Sequence, residues 1–311
     1  MIDLGRLRAL DAVATYGTVL AAADALRCTP SAVSQQLAKL ERETRSALVE
    51  KDGRRLRLTD AGRVLAEHAH RALAAVDEAE AALAAHRETV TGRLVVAAFA
   101  TACRGLLPHA LHRLADAHPA LTTGLVECNP HQGLDSLVRG RADLAVLDDW
   151  PEVSLHYPAG VAYTELGMDV ADLVVPATHP LAGAARVTLA EVRGERWISS
   201  LPGAICHDWL LRVLPGIEPD FLVGEFETQL TMVAAGLGVA MVPRLARGTP
   251  PAGAVVKELT PPATRRVVVA WRRAVAARPA ILAAVDALRS AWTALPANSG
   301  TPPAPRAPRP R

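Results

Sequence analysis

Residues 29–43 read TPSAVSQQLAKLERE, and the first part of the chain turns on this stretch. Thr29 offers a hydroxyl that can cap a helix, and Pro30 suits the first helical position, where its missing N–H costs nothing. Val33, Leu37 and Leu40 follow at helical spacing and predict a buried stripe. Ser31, Ser34, Gln35 and Ala38 fall at i, i+3, i+4 and i+7, so small and hydrogen-bonding side chains share another face. Upstream, Leu4, Leu7, Leu10, Val13 and Ala14 predict a helix ending at Gly17. Thr18 then caps a second helix through Ala22, Ala23 and Leu26, before a tight turn at Arg27-Cys28. Downstream, ALVEKDGRRLRLT (47–59) predicts a small hairpin, or wing, turning at Lys51-Asp52-Gly53.

Two helices joined by a tight turn, the second with a hydrogen-bonding outer face, form the arrangement that enters the DNA major groove by the N-terminal residues of the second helix. Gln35 can bond adenine N6 and N7 together. Ser31 and Ser34 can reach bases or phosphates, as can the helix N-terminus. Spacing alone leaves open an ordinary three-helix bundle with a solvated polar face. The whole chain of 311 residues carries a net charge of only +2. Its charge is local: residues 1–59 hold ten basic residues against seven acidic ones, and five of the ten lie between 45 and 57. Arg54, Arg55 and Arg57 on the wing would meet the DNA backbone or a minor groove and add affinity without direct base readout.

Half the residues are hydrophobic, which excludes wholesale disorder. The length predicts two or three domains. The cysteines stand at 28, 103, 128 and 206 with no CxxC pair, which favours a reduced, cytoplasmic setting over a zinc or dithiol site. Cys28, in the turn, is expected to be a small buried residue. No run of about 18 apolar residues predicts a membrane span. His109 and His112 can share a helix face but lack a third ligand, and GLG at 236–238 reads as a helix cap; no metal, cofactor or catalytic motif emerges. The expectation is that the protein is not an enzyme.

From Asp60 to Glu88, Ala61, Leu65, His68, Ala72, Val76, Ala79 and Leu83 step by threes and fours along an alanine-rich helix of about 43 Å. So narrow a seam suits a dimerising coiled coil, the alternative being a connector packed on its own domain. Beyond Gly92, apolar runs at 94–99, 122–126, 144–147, 173–175, 221–223, 239–242 and 267–271 alternate with helical patterns. This predicts an α/β domain with mainly parallel strands. The Pro- and Gly-rich stretch 150–167 could separate two lobes. Residues 296–311, with six prolines, three arginines and no acid, read as a disordered tail.

Several stretches resemble one family in order along the chain: AAADAL (21–26), TPSAVSQQLAKLERE, GRRLRLTDAG (53–62), GRLVVAAF (92–99), RGRADLAVL (139–147), VVPATHPLA (174–182) and MVAAGLGVAMVP (232–243). That family is the LysR-type transcriptional regulators. The resemblance implies a mixed α and α/β protein: a winged helix-turn-helix over 1–59, a linker helix over 60–88, and an effector domain over 92–295 resembling periplasmic binding proteins. Lobe I is placed at about 92–163 and 268–295, lobe II at about 165–266, with crossings near 162–168 and 264–270. It implies a homodimer or homotetramer on double-stranded promoter DNA, contacted by Thr29, Pro30, Ser31, Ser34, Gln35, Lys39, Arg54, Arg55 and Arg57. The chain departs from the family where Arg45 replaces a usual glycine and where Val49 and Lys51 replace phenylalanine and arginine. Gln35 stands where many members have arginine, which favours an operator element rich in T and A.

The resemblance also implies a small-molecule effector between the lobes. Carried onto this chain, its contacts are Thr101, Ala102, Cys128, Asn129, Asp148 and Asp149 in the first lobe. In the second they are Ser199, Ser200, Glu227 and Thr228. Asp148, Asp149 and Glu227 would make the cleft acidic and favour a zwitterion or cation, such as an amino acid, unless they pair with Arg104 or Arg139. Some members sense peroxide through a disulfide in the second lobe, but only Cys206 lies there. Two other readings remain: a ligand-binding α/β protein dimerised by its N-terminal helices, and an architectural DNA binder with no effector.

Overall fold

The structure, a computed structural model, describes residues 2–52, 55–86, 89–245 and 247–295. It divides into two compact units, Met1–Arg87 and Glu88–Arg311. In the first, α1 (Leu4–Tyr16) is capped by Asp3, not foreseen as a cap, while α2 (Val19–Leu26) and α3 (Pro30–Thr44) start as their sequence predicts at Thr18 and Thr29; each of these three side chains accepts a hydrogen bond from the backbone N–H three residues on. Leu10, Leu37 and Leu40 are almost fully buried in the core of this unit, each contributing about 1.5 to 3 kcal/mol by leaving water. Arg27 and Arg45 end α2 and α3 in the left-handed conformation, at φ 53° and 52°.

The wing, β1 (Val49–Asp52) paired antiparallel with β2 (Arg55–Leu58), is tied to α3. Glu41 Oε1 accepts from the N–H groups of Leu48 (2.8 Å) and Val49 (3.2 Å). The helix α4 (Asp60–His86) then packs Gly62, Ala66 and Ala69 against this core. A Cβ on Gly62 would lie 2.0 Å from the Leu48 carbonyl oxygen, so only glycine lets the helix approach the wing this closely. The seam foreseen for dimerisation lies on a different face: Ala61, His68, Ala72, Ala79 and Leu83 are exposed, and Leu65 and Val76 half-buried. Cys28 is exposed, contrary to expectation, because the turn carries it beyond the packed helices. Arg54, residues 87 and 88 of the expected linker and the tail 296–311 lie outside the described residues, as does the Arg55 side chain.

The second unit begins with β3 (Gly92–Ala98), α5 (Ala100–Gly105), α6 (Leu107–Ala117), β4 (Leu121–Glu127), α7 (Pro130–Val138) and β5 (Leu144–Asp149). Next come β6 (Val161–Pro176), β7 (Arg186–Val187), β8 (Trp197–Ser199), α8 (Ile205–Val213), β9 (Phe221–Leu222) and α9 (Phe226–Ala234). It closes with β10 (Val239–Pro243), β11 (Ala254–Leu259), β12 (Ala263–Arg272) and α10 (Pro279–Thr293). The main strand order is β4-β3-β5-β12-β6-β10-β8-β9, with β11 beside β6. Pairing is parallel among β3, β4 and β5, and again among β8, β9 and β10. The sheet is therefore more mixed than expected, because β6 leaves the first lobe and β12 returns to it, running antiparallel. Residues 151–160 do form a loop, but it precedes β6, and the paired strands β6 and β12 join the lobes as continuous β-structure. A Cβ on Gly167 would meet Trp292 Nε1 at 2.2 Å, so glycine lets β6 pass beneath α10.

The β6–β12 pair is a wall with two chemistries. Asp169 and Ala171 share one face with Ala263 and Arg265, while Met168 and Val170 share the other with Thr264 and Arg266, as the pleat and the register require.

Candidate functional site

The polar face of α3 stands clear of its core. Pro30, Ser31, Ser34, Gln35, Ala38 and Lys39 are exposed, while Val33, Leu37 and Leu40 are buried. Thr29 is exposed but occupied, since its hydroxyl caps Ala32 N at 3.2 Å and sits 3.0 Å from Ser31 Oγ. Arg57 projects from the wing beside Glu50, donating through Nε (3.1 Å) and Nη2 (2.8 Å) to Oε1. Helix and wing thus offer hydrogen-bond donors and acceptors with guanidinium charge nearby, the chemistry that base edges and phosphates recognise.

In the second unit a cavity of about 360 Å³ opens between the lobes at the ends of β3, β4 and β5 and the start of α8. Thr101, Cys128, Asn129, Asp148 and Ser200, all singled out in the sequence, line it. Asn129 also caps α7, accepting from Gln132 N at 2.8 Å. Ala102 is buried and does not line the cavity, and Ser199 faces His207 Nδ1 at 3.0 Å. Asp149 does not line it either. One residue on from Asp148, it points across the strand, where it pairs with Arg266 and accepts from Leu155 N at 3.0 Å. Glu227 and Thr228 are exposed at the start of α9, and Glu227 pairs with Arg104 of α5. Arg139 pairs with Asp135. The expectation that three carboxylates acidify the cleft together is corrected: only Asp148 faces it.

Sequence reasoning missed the residue at the centre. Arg265, 1% exposed, donates from Nε and Nη2 to Asp169 Oδ2 (2.9 and 2.7 Å), from Nη1 to Asp148 Oδ2 (2.9 Å) and from Nη2 to Thr101 Oγ1 (2.7 Å). Its guanidinium carbon also lies 4.9 Å from the centre of the Phe99 ring. Burial works against this charge, but Asp169 and Asp148 more than offset it and hold the group above its ordinary pKa. A signal existed, because Arg265 occupies the inward phase of β12 between the buried Ala263 and Val267.

Asp148 is buried, and burial raises its pKa against the opposing pull of Arg265. Trp150 Nε1 also donates to its Oδ2, at 3.2 Å, while Oδ1 has no hydrogen-bond partner among the described residues. Two carboxylates around one guanidinium leave the cluster one charge negative when both are ionised, and Glu127 adds another at the rim. Cys206 also lines the cavity; burial, with Asp148 nearby, pushes its thiol up to about 12. Trp150 packs on Trp209 of α8 with ring centroids 4.5 Å apart, so the carboxylate in the cavity is linked to a contact between the lobes.

Both units match known protein domains. Residues 4–63 match the bacterial regulatory helix-turn-helix protein, lysR family, and residues 87–293 match the LysR substrate binding domain. A probable RuBisCO transcriptional regulator of Chlorokybus atmophyticus is 30% identical over 179 residues, 58% of this chain and 56% of that protein. A hydrogen peroxide-inducible genes activator of Dickeya chrysanthemi is 29% identical over 251 residues, 79% of this chain and 80% of that one. Full-length OxyR from Pseudomonas aeruginosa shares the fold with a TM-score of 0.71 at 23% identity, covering 93% of this chain and 95% of that one.

Proposed function

The chain belongs to the LysR family of bacterial transcriptional regulators, and on that premise we propose which residues read its DNA and what kind of molecule controls it. Regulators of this family bind promoter DNA and small-molecule effectors and oligomerise; they are not enzymes. Gln35, flanked by Ser31, Ser34 and Lys39, reads base edges in the major groove, with Thr29 and Pro30 setting the helix entry. Arg54, Arg55 and Arg57 grip the backbone. The exposed seam of α4 pairs two copies, and two such dimers form a tetramer. The supporting observation is the exposure of Ser34, Gln35 and Lys39 beside a buried Val33, Leu37 and Leu40.

The effector is a cation or zwitterion. Asp148 carries that reading: its Oδ1 lacks a donor, and the cluster around it has more negative charge than Arg265 neutralises. An ammonium or amine supplies both charge and hydrogen bond. A carboxylate on the same molecule suits the start of α8, where Ala204 provides no side-chain cap. Peroxide sensing, suggested by the names of some relatives, is disfavoured because the reactive species is the thiolate and Cys206 is held as a thiol.

The test is a pull-down of genomic fragments by the full-length protein, sequenced with and without a pool of amino acids and amines. Sites sharing an interrupted palindrome, with occupancy changed by the pool, support the reading; uniform enrichment refutes it. On an enriched site Gln35→Ala should cost about 1 to 3 kcal/mol, and equal weakening on scrambled DNA would remove base readout from Gln35.

A further inference from the structure

On the other face of the β6–β12 wall lies a second cavity, of about 550 Å³, walled by Met168, Val170 and Thr264 and by Leu259 and Pro262 near the end of β11. None of the sequence-predicted contacts lies there. We propose that it binds a second small molecule, an organic anion with an apolar body, at a site separate from the interlobe cleft.

Charge carries the assignment. Asp172, 1% exposed, accepts from Arg244 Nε (2.7 Å) and Nη2 (2.8 Å) and pairs with Arg247. Glu258 accepts from Arg244 Nη2 at 3.3 Å and lies 3.7 Å from Arg186 Nε. Arg186 and Arg244 line the cavity with Asp172 and Glu258, and Arg247, outside the lining, pairs with the same Asp172, so the five groups together carry a net positive charge where the interlobe cluster is net negative. Arg186 is the adaptable member: its side chain is 70% exposed and its contact with Glu258 is long, so it can turn to an incoming carboxylate at little cost. Arg244, by contrast, is held in place by its two bonds to the buried Asp172, a fixed partner for the anion. The apolar strip of Met168, Val170 and Leu259 would cover the rest of the ligand.

The register places this site back to back with the first. Arg265 pairs with Asp169 on the cleft side, and their neighbours Thr264 and Val170 pair with each other on this side. An anion seated here rests on the two strands that join the lobes. If it favours one lobe arrangement, it changes the affinity of the cleft for its own ligand by a factor that is reciprocal.

The experiment titrates full-length protein with 4-fluorophenylacetate, followed by fluorine NMR, on the wild type and on Arg186→Gln, Thr264→Phe and Asp148→Asn. Saturable binding in about the millimolar range is expected for the wild type. Loss of one charge-assisted hydrogen bond in Arg186→Gln should weaken it about tenfold. Thr264→Phe, which fills the groove, should abolish it, and Asp148→Asn should leave it within about twofold. Should Thr264→Phe fail to fold, the exposed Arg186 still decides. No saturable binding to the wild type overturns the proposal. So does an unchanged affinity in folded Arg186→Gln, or a change in either direction caused by Asp148→Asn equal to or greater than that by Arg186→Gln, since relieving the negative charge of the cleft would alter the affinity of an anion bound there.

Discussion

Replacing Arg265 by methionine keeps most of the side-chain length but removes a guanidinium that makes three hydrogen bonds to buried carboxylates and one to Thr101. Asp148 and Asp169, 1% and 0% exposed, would stay buried without a counter-charge. Breaking a buried ion pair by deleting one partner costs about 3 to 5 kcal/mol. In a unit of this size, about 2 to 4 °C per kcal/mol corresponds to a fall of roughly 6 to 20 °C in melting temperature. The loss has a pH signature. Burial already raises the Asp148 pKa in the presence of Arg265, and removing the cation raises it further. A carboxyl whose folded pKa lies above its unfolded value near about 4 stabilises while protonated and loses that contribution as pH rises through the folded value. Calorimetry of the full-length variant should therefore show a larger deficit at about pH 8 than at about pH 5. Adding Asp148→Asn and Asp169→Asn should recover most of the deficit, since a neutral cluster has no uncompensated charge. A fall of less than about 1 kcal/mol, or the same fall at both pH values, would refute the electrostatic account of the cluster.

Three further outcomes follow from local geometry. Alkylation at about pH 8 should label the exposed Cys28 and spare the half-buried Cys103 and Cys206, whose thiols desolvation pushes up to about 12, with Cys206 reacting only at higher pH or on unfolding; rapid labelling of Cys206 in folded protein would contradict its raised pKa. Arg45→Gly relieves a left-handed residue at φ 52° and should raise the stability of the DNA-binding unit by about 1 kcal/mol, read from the denaturant midpoint. Gly62→Ala drives a methyl group into the Leu48 carbonyl and should cost about 1 to 3 kcal/mol while weakening DNA binding through the displaced wing; an unchanged melt would show that α4 can shift freely.

Local chemistry is legible along a sequence wherever one segment determines its own geometry. The caps at Thr18 and Thr29, the proline opening α3, the stripe Val33, Leu37 and Leu40 and the wing hairpin were all legible, because each depends on residues within a turn or two. So were the strands that are continuous apolar runs, such as β3 and β5. Several were not, including β8, β11 and the first half of β6. In β6, Glu165, Gly167 and Asp169 interrupt the apolar pattern, since that stretch is held by pairing with β12 and not by burial of both faces. The order of the family's motifs placed the strand ends that reach the cavity, and with them Thr101, Cys128, Asn129, Asp148 and Ser200.

Which side of a strand faced the cavity was decided only by the tertiary structure. Asp148 and Asp149 are neighbours in the chain, yet one enters the cavity and the other pairs with Arg266 behind it, because the pleat turns successive side chains to opposite faces. The partners of these carboxylates lie 117 residues away, on a strand that returns from the second lobe. By itself the sequence determined the first three helices, the caps at Thr18 and Thr29, the exposed polar face of α3 and the family. The charge balance of the cavity was decided by long-range pairing that brings Arg265 to Asp148 and Asp169, because such pairing depends on where two distant strands meet and leaves no periodic trace in either.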